Sequence, residues 1–209
     1  MTDTPITITP ATETPKRSMK SDVFPVLEKL AELYPHLFGA VFVPLKRGIF
    51  QDLLEAHPEV FEKETLKNAL AFHTRSNRYL GAVAAGKSRH DLQGKVVEKM
   101  APLHIYQALT EIFRRRKEKG SRTELVQRIV QAWKHSGMTP EEYADLVRTR
   151  NEETNAILDE AMTEVQSHTA RAEALARAYQ SSGKGIAEFA EIYGMNVREV
   201  KQLLAVAPA

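Results

Sequence analysis

Apolar residues recur every three or four positions over most of this chain, and almost nowhere in sustained alternation. That spacing puts side chains on one face of a helix, so the pattern predicts a mainly α protein. Phe24, Leu27, Leu30, Leu33 and Tyr34 mark a first helix, with Ser21 as its N-cap, Pro25 in its first turn and Pro35 at its end. A short apolar stretch, Ala40 to Val43, leads into Pro44-Leu45-Lys46-Arg47-Gly48, and residues 49–56 read as a brief helix. Residues 63–73 read as a longer helix. Leu66, Ala69, Leu70 and Phe72 point to a core, with Lys63 and Lys67 one turn apart on another face. Thr74-Arg75-Ser76 punctuates that helix, and another spans 77–84 before Gly86. Arg89-His90-Asp91-Leu92 and Lys95-Val96-Val97-Glu98 flank Gln93-Gly94, which predicts a small β-hairpin around a two-residue turn. A long helix then follows Pro102, with Leu103, Tyr106, Leu109, Ile112 and Phe113 inward. It ends in Arg114-Arg115-Arg116-Lys117-Glu118-Lys119-Gly120, where cations also suit the negative end of the helix dipole.

Gly120 reads as a boundary. Beyond it, Ser121 with Glu124 and Thr139-Pro140 with Glu142 both match the capping box. No further Pro or Gly interrupts the run from Pro140 to Gly183, which is long for one globular helix. Three outcomes stay open: a break near Asn151 or Asn155, a helical hairpin, or an oligomerisation element. The last segment places Ile186, Phe189, Ala190 and Ile192 before Gly194, and then Asn196 as N-cap ahead of Val200, Leu203 and Leu204. The expected organisation is a Thr- and Pro-rich disordered leader over 1–20, a compact domain over 21–120, and a helical region over 121–209.

Composition narrows the classes. The chain has 209 residues and no cysteine, which excludes a disulfide scaffold, a thiolate metal site and a cysteine nucleophile. No apolar run approaches the ~18 residues of a membrane span, and the N-terminus lacks the order of a signal peptide, so no membrane partner and a cytoplasmic location are expected. The net charge of +2 conceals a division. Residues 63–119 hold 13 basic against 5 acidic side chains, whereas residues 121–209 hold 10 against 13. A local cationic excess attracts phosphate polymers by counterion release, although it also suits a solvated basic face.

The motif search excludes more than it finds. Gly81-Ala82-Val83-Ala84-Ala85-Gly86-Lys87-Ser88 spells a Walker A pattern, but the polar residues 73–78 before it cannot form the buried strand such a loop requires. Gly86 is expected to end a helix instead. The seven histidines show no paired metal spacing, and no nucleophile elbow is present, so no enzyme, cofactor or metal is expected. Residues 184–204 resemble a helix-turn-helix, with Asn196, Arg198, Lys201 and Gln202 as candidate DNA readers. A DNA-binding transcriptional regulator is therefore the rival reading. The plainer reading of the same residues is a helical hairpin packed on its neighbour.

Three ordered blocks carry the most specific signal. They are Pro44-Leu45-Lys46-Arg47-Gly48-Ile49, Arg78-Tyr79-Leu80, and Arg89-His90-Asp91-Leu92-Gln93-Gly94. Their order and separation resemble the ProQ/FinO family of bacterial RNA chaperones over about residues 22–119. The resemblance implies a compact helical domain with a small hairpin that binds structured RNA. Its expected target is the stem and 3′ uridine-rich tail of intrinsic terminators of small RNAs and mRNAs, with post-transcriptional regulation as the outcome. It carries basic positions over to Lys46, Lys63, Lys67, Arg78 and Arg89, and an aromatic one to Tyr79. Thr74, Arg75, Ser76, Lys87, Arg114 and Arg115 complete the expected RNA-binding set. Asn77 stands where a tryptophan is common in the family, Ala71 where some members have a basic residue, and Met100-Ala101-Pro102 departs from the usual start of the last domain helix. On chemical grounds, Arg78 and Arg89 suit bidentate phosphate contacts. The hydroxyls of Thr74 and Ser76 at a helix start suit a terminal nucleotide, and Tyr79 suits stacking on it. The C-terminal helices are expected to offer a protein contact, self-association or a second RNA contact, or to tune affinity through their negative charge.

Overall fold

The computed structural model describes residues 19–116 and 121–206; residues 1–18 of the expected leader over 1–20, Lys117, Lys119 and the boundary at Gly120 lie outside the described residues. Among the described residues the chain is mainly α: eleven helices and one two-stranded antiparallel hairpin.

The first helix, α1 (Met19–Leu33), starts two residues ahead of the expected cap and contains Ser21. Pro25 therefore sits in the second turn, where it lacks the N–H for a helix bond. Val23 and Leu30, two turns apart, are the buried positions, while Phe24 is half exposed and meets the equally exposed Phe72 edge to face at 5.6 Å. Both phenylalanines were expected inward; they instead cover each other on the surface. Pro35 does not merely end α1 but opens a short helix, α2 (Pro35–Phe38), whose Leu37 and Phe38 are buried. Next come α3 (Ile49–Ala56) and α4 (Lys63–Thr74), both where the periodicity put them. The Glu62 carboxylate caps α4 by accepting from the Glu64 and Thr65 amides, and those bonds hold its pKa below the usual value.

Helix α5 (Asn77–Ala84) is capped by Ser76, whose Oγ accepts from the Tyr79 amide at 3.2 Å. It ends in a Schellman motif: Gly86 N–H bonds Val83 O, Lys87 N–H bonds Ala82 O, and Gly86 takes the left-handed conformation at φ 69°. Gly81 lies inside α5 and Gly86 closes it, so the Walker-like string cradles no phosphate. The hairpin strands are shorter than expected, β1 (Arg89–His90) and β2 (Val96–Glu98), with five residues between them. The Asp91 carboxylate accepts from the Gln93 and Lys95 amides, so an Asx turn takes over where strand pairing was expected. His90 also bridges Leu45 in parallel, with Lys46 N–H bonded to His90 O and His90 N–H to Pro44 O.

Helix α6 (Pro102–Arg116) follows, then α7 (Ser121–Ser136) and α8 (Pro140–Val147), the latter closed by the expected Thr139/Glu142 capping box. The long run does break near Asn151, which caps the 31-residue α9 (Glu152–Ser182) through the Thr154 amide. The final pair, α10 (Ile186–Ile192) and α11 (Val197–Val206), turns at Gly194.

Three apolar clusters organise these elements. The first gathers Leu30, Leu37, Leu53, Leu66, Tyr79 and Leu92 from α1 to the hairpin. The second joins Tyr106 and Leu109 of α6 to Ile129 of α7, Tyr143 of α8 and Ile157 and Val165 of α9. The third packs Phe189 and Val200 against Leu175 and Tyr179 near the far end of α9. Helix α6 faces two ways, since Ala108 belongs to the first cluster and Tyr106 and Leu109 to the second.

Candidate nucleic-acid interface

The turn between α4 and α5 is where the expected residues converge. Thr74 ends α4, Arg75 is its C-cap, Ser76 caps α5, and Arg78 lies in the first turn of α5. The last turn of α6 reaches the same turn: Arg115 Nη1 donates to the Arg75 carbonyl at 2.7 Å and to Asn77 Oδ1 at 2.8 Å. Its Nε donates to Glu111, which also takes both Nε and Nη2 of Arg114. Hydrogen bonds from Arg114 and Arg115 lower the Glu111 pKa, so this carboxylate stays charged and holds two guanidinium groups side by side.

Beside that cluster lies a layered stack. The Arg78 guanidinium sits 5.8 Å over the Phe42 ring, and Phe42 stacks on His73 at 4.7 Å and 8°. Arg78 is exposed, so its plane is offered outward with an aromatic backing. His73 is buried at 5% exposure, its Nε2 has no hydrogen-bond partner, and burial lowers its pKa to about 4. It is a neutral packing residue.

A second grouping centres on the main chain of Leu45. Its N–H donates to the Tyr79 hydroxyl at 3.0 Å, and its carbonyl accepts from Arg89 Nη1 at 2.9 Å. Arg89 Nε lies 3.5 Å from Glu98 Oε2, and Arg47 meets the same carboxylate at 3.4 Å. Lys46 pairs with Asp52 at 2.8 Å, and that bond raises its pKa.

Four expectations change here. Tyr79 is 7% exposed, so it has no open ring face on which a base can stack; burial raises its pKa and keeps the phenol neutral. Arg89 is mostly buried and braces the hairpin to Leu45, rather than presenting an open fork. The Thr74 hydroxyl is at the end of α4, not at a helix start, and donates back to the Leu70 carbonyl at 2.8 Å. Ser76 does sit at a helix start, but its oxygen already accepts the Tyr79 amide. Lys63 and Lys67 are exposed, and at 100° per residue they share a face of α4 with Thr74. Lys67 lies 3.5 Å from Glu64. Lys87 is exposed just past the end of α5 and touches neither grouping through a hydrogen bond.

Sequence reasoning missed Asn77, which it treated as a lost tryptophan and which here accepts from Arg115. It also missed Phe42 as the support of Arg78. The spacing of Arg78 from an aromatic some 36 residues earlier carries no local signal. At the other end of the chain, Arg198, Lys201 and Gln202 are exposed on α11, and Asn196 bonds the Arg198 amide. The pair α10 and α11 buries Phe189 and Val200 against α9, as a packed helical hairpin does.

Among described residues, no helix is long and apolar enough to cross a membrane. Among solved structures, a FinO-like RNA chaperone of Neisseria meningitidis MC58 is 30% identical to this chain, with a TM-score of 0.39, over 43% of this chain and 92% of that one. The sequence profile of the ProQ/FINO family matches residues 21–125, half of the chain and the whole stretch that builds the two groupings above, and the protein belongs to the ProQ/FinO family.

Proposed function

We propose that this protein is a non-enzymatic RNA-binding chaperone that holds a terminator-like hairpin by its stem and its 3′ uridine-rich tail. The observation that carries the reading is the meeting of Arg78 and Arg115 around the N-terminus of α5, with Arg115 bonded to the turn itself. Guanidinium forks match phosphate oxygens, and the unpaired amides of a first helical turn attract an anion or a terminal hydroxyl. The exposed plane of Arg78 suits stacking by an unpaired base. Lys63 and Lys67, further along α4, extend positive charge for one strand of an A-form stem, whose base edges are out of reach. Tyr79 and Arg89 support this surface from beneath by fixing the main chain at Leu45. By mass action, a bound 3′ end is shielded and the populations of RNA conformers shift, with no nucleotide consumed. Small RNAs and mRNAs bearing such terminators are the expected cargo, and post-transcriptional regulation follows.

The test is equilibrium binding of the full chain to a hairpin with a uridine tail, ending in a 3′ hydroxyl or a 3′ phosphate, alongside duplex DNA. The hydroxyl-ended hairpin binds tightest, with affinity falling steeply as salt rises. Terminal phosphate weakens it about tenfold, and Arg78→Ala costs about 1–3 kcal/mol. Equal binding of both ends removes the end-reading part. Preference for duplex DNA overturns the whole reading in favour of a regulator acting through residues 184–204.

A further inference from the structure

An open groove lies away from the α4–α5 turn, at the other end of α5. It holds about 510 Å³ between two walls. One wall is the end of α5 and the loop before α6, with Ala84, Gly86, Ser88 and Lys99; the other is α7, with Arg128, Gln131 and His135. Met100, Ile105 and Ala132 give it an apolar floor. The α7 side chains lie beyond residue 125, outside the stretch that matches the family. Arg128, Gln131 and His135 therefore belong to the part of the chain that the family leaves unexplained.

We infer that this groove binds a single-stranded stretch of RNA, as a second contact for a molecule held by the surface proposed above. The inference rests on that RNA-binding reading. Three features favour this occupant. First, among the described residues no carboxylate lines the groove, whereas Lys99, Arg128 and His135 do, from both walls. Arg128 has only a distant carboxylate, Glu124, at 3.9 Å, and is partly exposed. Second, the mixed lining fits a nucleotide: cations and the Gln131 amide for phosphate and base edges, an apolar floor for a base face. Arg128 and His135 stand two helical turns apart, about 10 Å along α7, so they reach successive nucleotides rather than one. His135 Nδ1 bonds the Gln131 carbonyl, which leaves Nε2 as its other polar atom. Third, the size is that of an ordinary small-molecule pocket, which admits a nucleotide or two but not a duplex. Exposed Lys87 adjoins the groove wall, between Gly86 and Ser88. Helix α5, eight residues and about 12 Å long, spans from one contact to the other.

The test uses the full chain and two RNAs: a hairpin with a short uridine tail, and the same hairpin carrying a single-stranded 5′ extension. The variants are R128Q/H135Q on one wall and K99Q on the other, all at exposed or partly exposed positions. The parent protein binds the extended RNA more tightly than the bare hairpin. R128Q/H135Q reduces affinity for the extended RNA about tenfold and lowers its log–log salt slope by about 0.7, one single-strand phosphate contact, with little change on the bare hairpin. K99Q moves both quantities the same way. Unchanged binding of both RNAs overturns the inference and leaves the groove to an anionic peptide or to solvent, while the proposed function stands. Equal loss on both RNAs overturns the single-strand assignment. Failure of the parent to bind either RNA marks the proposed function itself as wrong.

Discussion

At the scale of single residues, burial decides roles that residue type leaves open. Tyr79 and Arg89 lie in the blocks that carry the family resemblance, yet both spend their polar atoms on Leu45. Nothing local in the sequence separates a tyrosine under a surface from one upon it. Arg78, one residue earlier, was legible as a surface cation because it sits in the first turn of a short amphipathic helix. His73 packs between Phe42, Phe38 and Tyr79. Its pKa falls from 6.5 to about 4, so the unfolded chain binds a proton that the folded chain refuses. Stability is therefore complete above pH 6.5 and declines as pH falls toward 4, by up to about 1.4 kcal/mol per pH unit from this group. Urea midpoints measured across that range will show the loss, and H73F will flatten it. An H73F profile as steep as the parent's would assign the acid sensitivity elsewhere.

At the scale of elements, helix positions were readable and their ends less so. Boundaries of α3, α4 and α5 follow the apolar period and the caps closely. The start of α1 was misplaced because a serine ahead of an apolar run looks like a cap even when the helix continues past it. The hairpin was misjudged in length because an aspartate side chain competes with strand pairing, and that competition is invisible to alternation alone. The candidate site was half legible: the arginines and the α5 cap were found, but the tie from α6 was not, since Arg115 meets Asn77 across 38 positions. That tie gives a prediction about elements rather than charge. R115K keeps a cation but loses the planar fork whose Nη1 meets Arg75 O and Asn77 Oδ1 while its Nε holds Glu111. It will raise amide hydrogen exchange in the α4–α5 turn and weaken hairpin binding several-fold, while leaving the exchange of α9 amides alone. Exchange in the turn identical to the parent's would mean that the fork contributes nothing to it.

At the scale of the whole molecule, the described halves share α6. Its Tyr106 hydroxyl donates to the Thr154 carbonyl, and Tyr106 and Leu109 fill the second cluster, while Ala108 fills the first. A boundary at Gly120 was drawn from a glycine after a basic run and the helix cap beyond it, local signals that say nothing about a helix with two buried faces. A chain ending at Arg116 will therefore uncover Tyr106 and Leu109. It will unfold at lower urea than the intact protein and self-associate in sedimentation experiments, because a patch built for a core is left to water. A truncated chain that is monomeric and has the parent's midpoint would show that the second cluster adds nothing to the first. The long α9 has a consequence of another kind. As a continuous rod of 31 residues it is about 46 Å from end to end, with the second cluster along its near portion and the third along its far one. Whatever α10 and α11 meet is met at a fixed reach and azimuth. One residue inserted between the clusters would swing the terminal pair by about 100°, and seven would bring it nearly back into phase, about one nanometre further out.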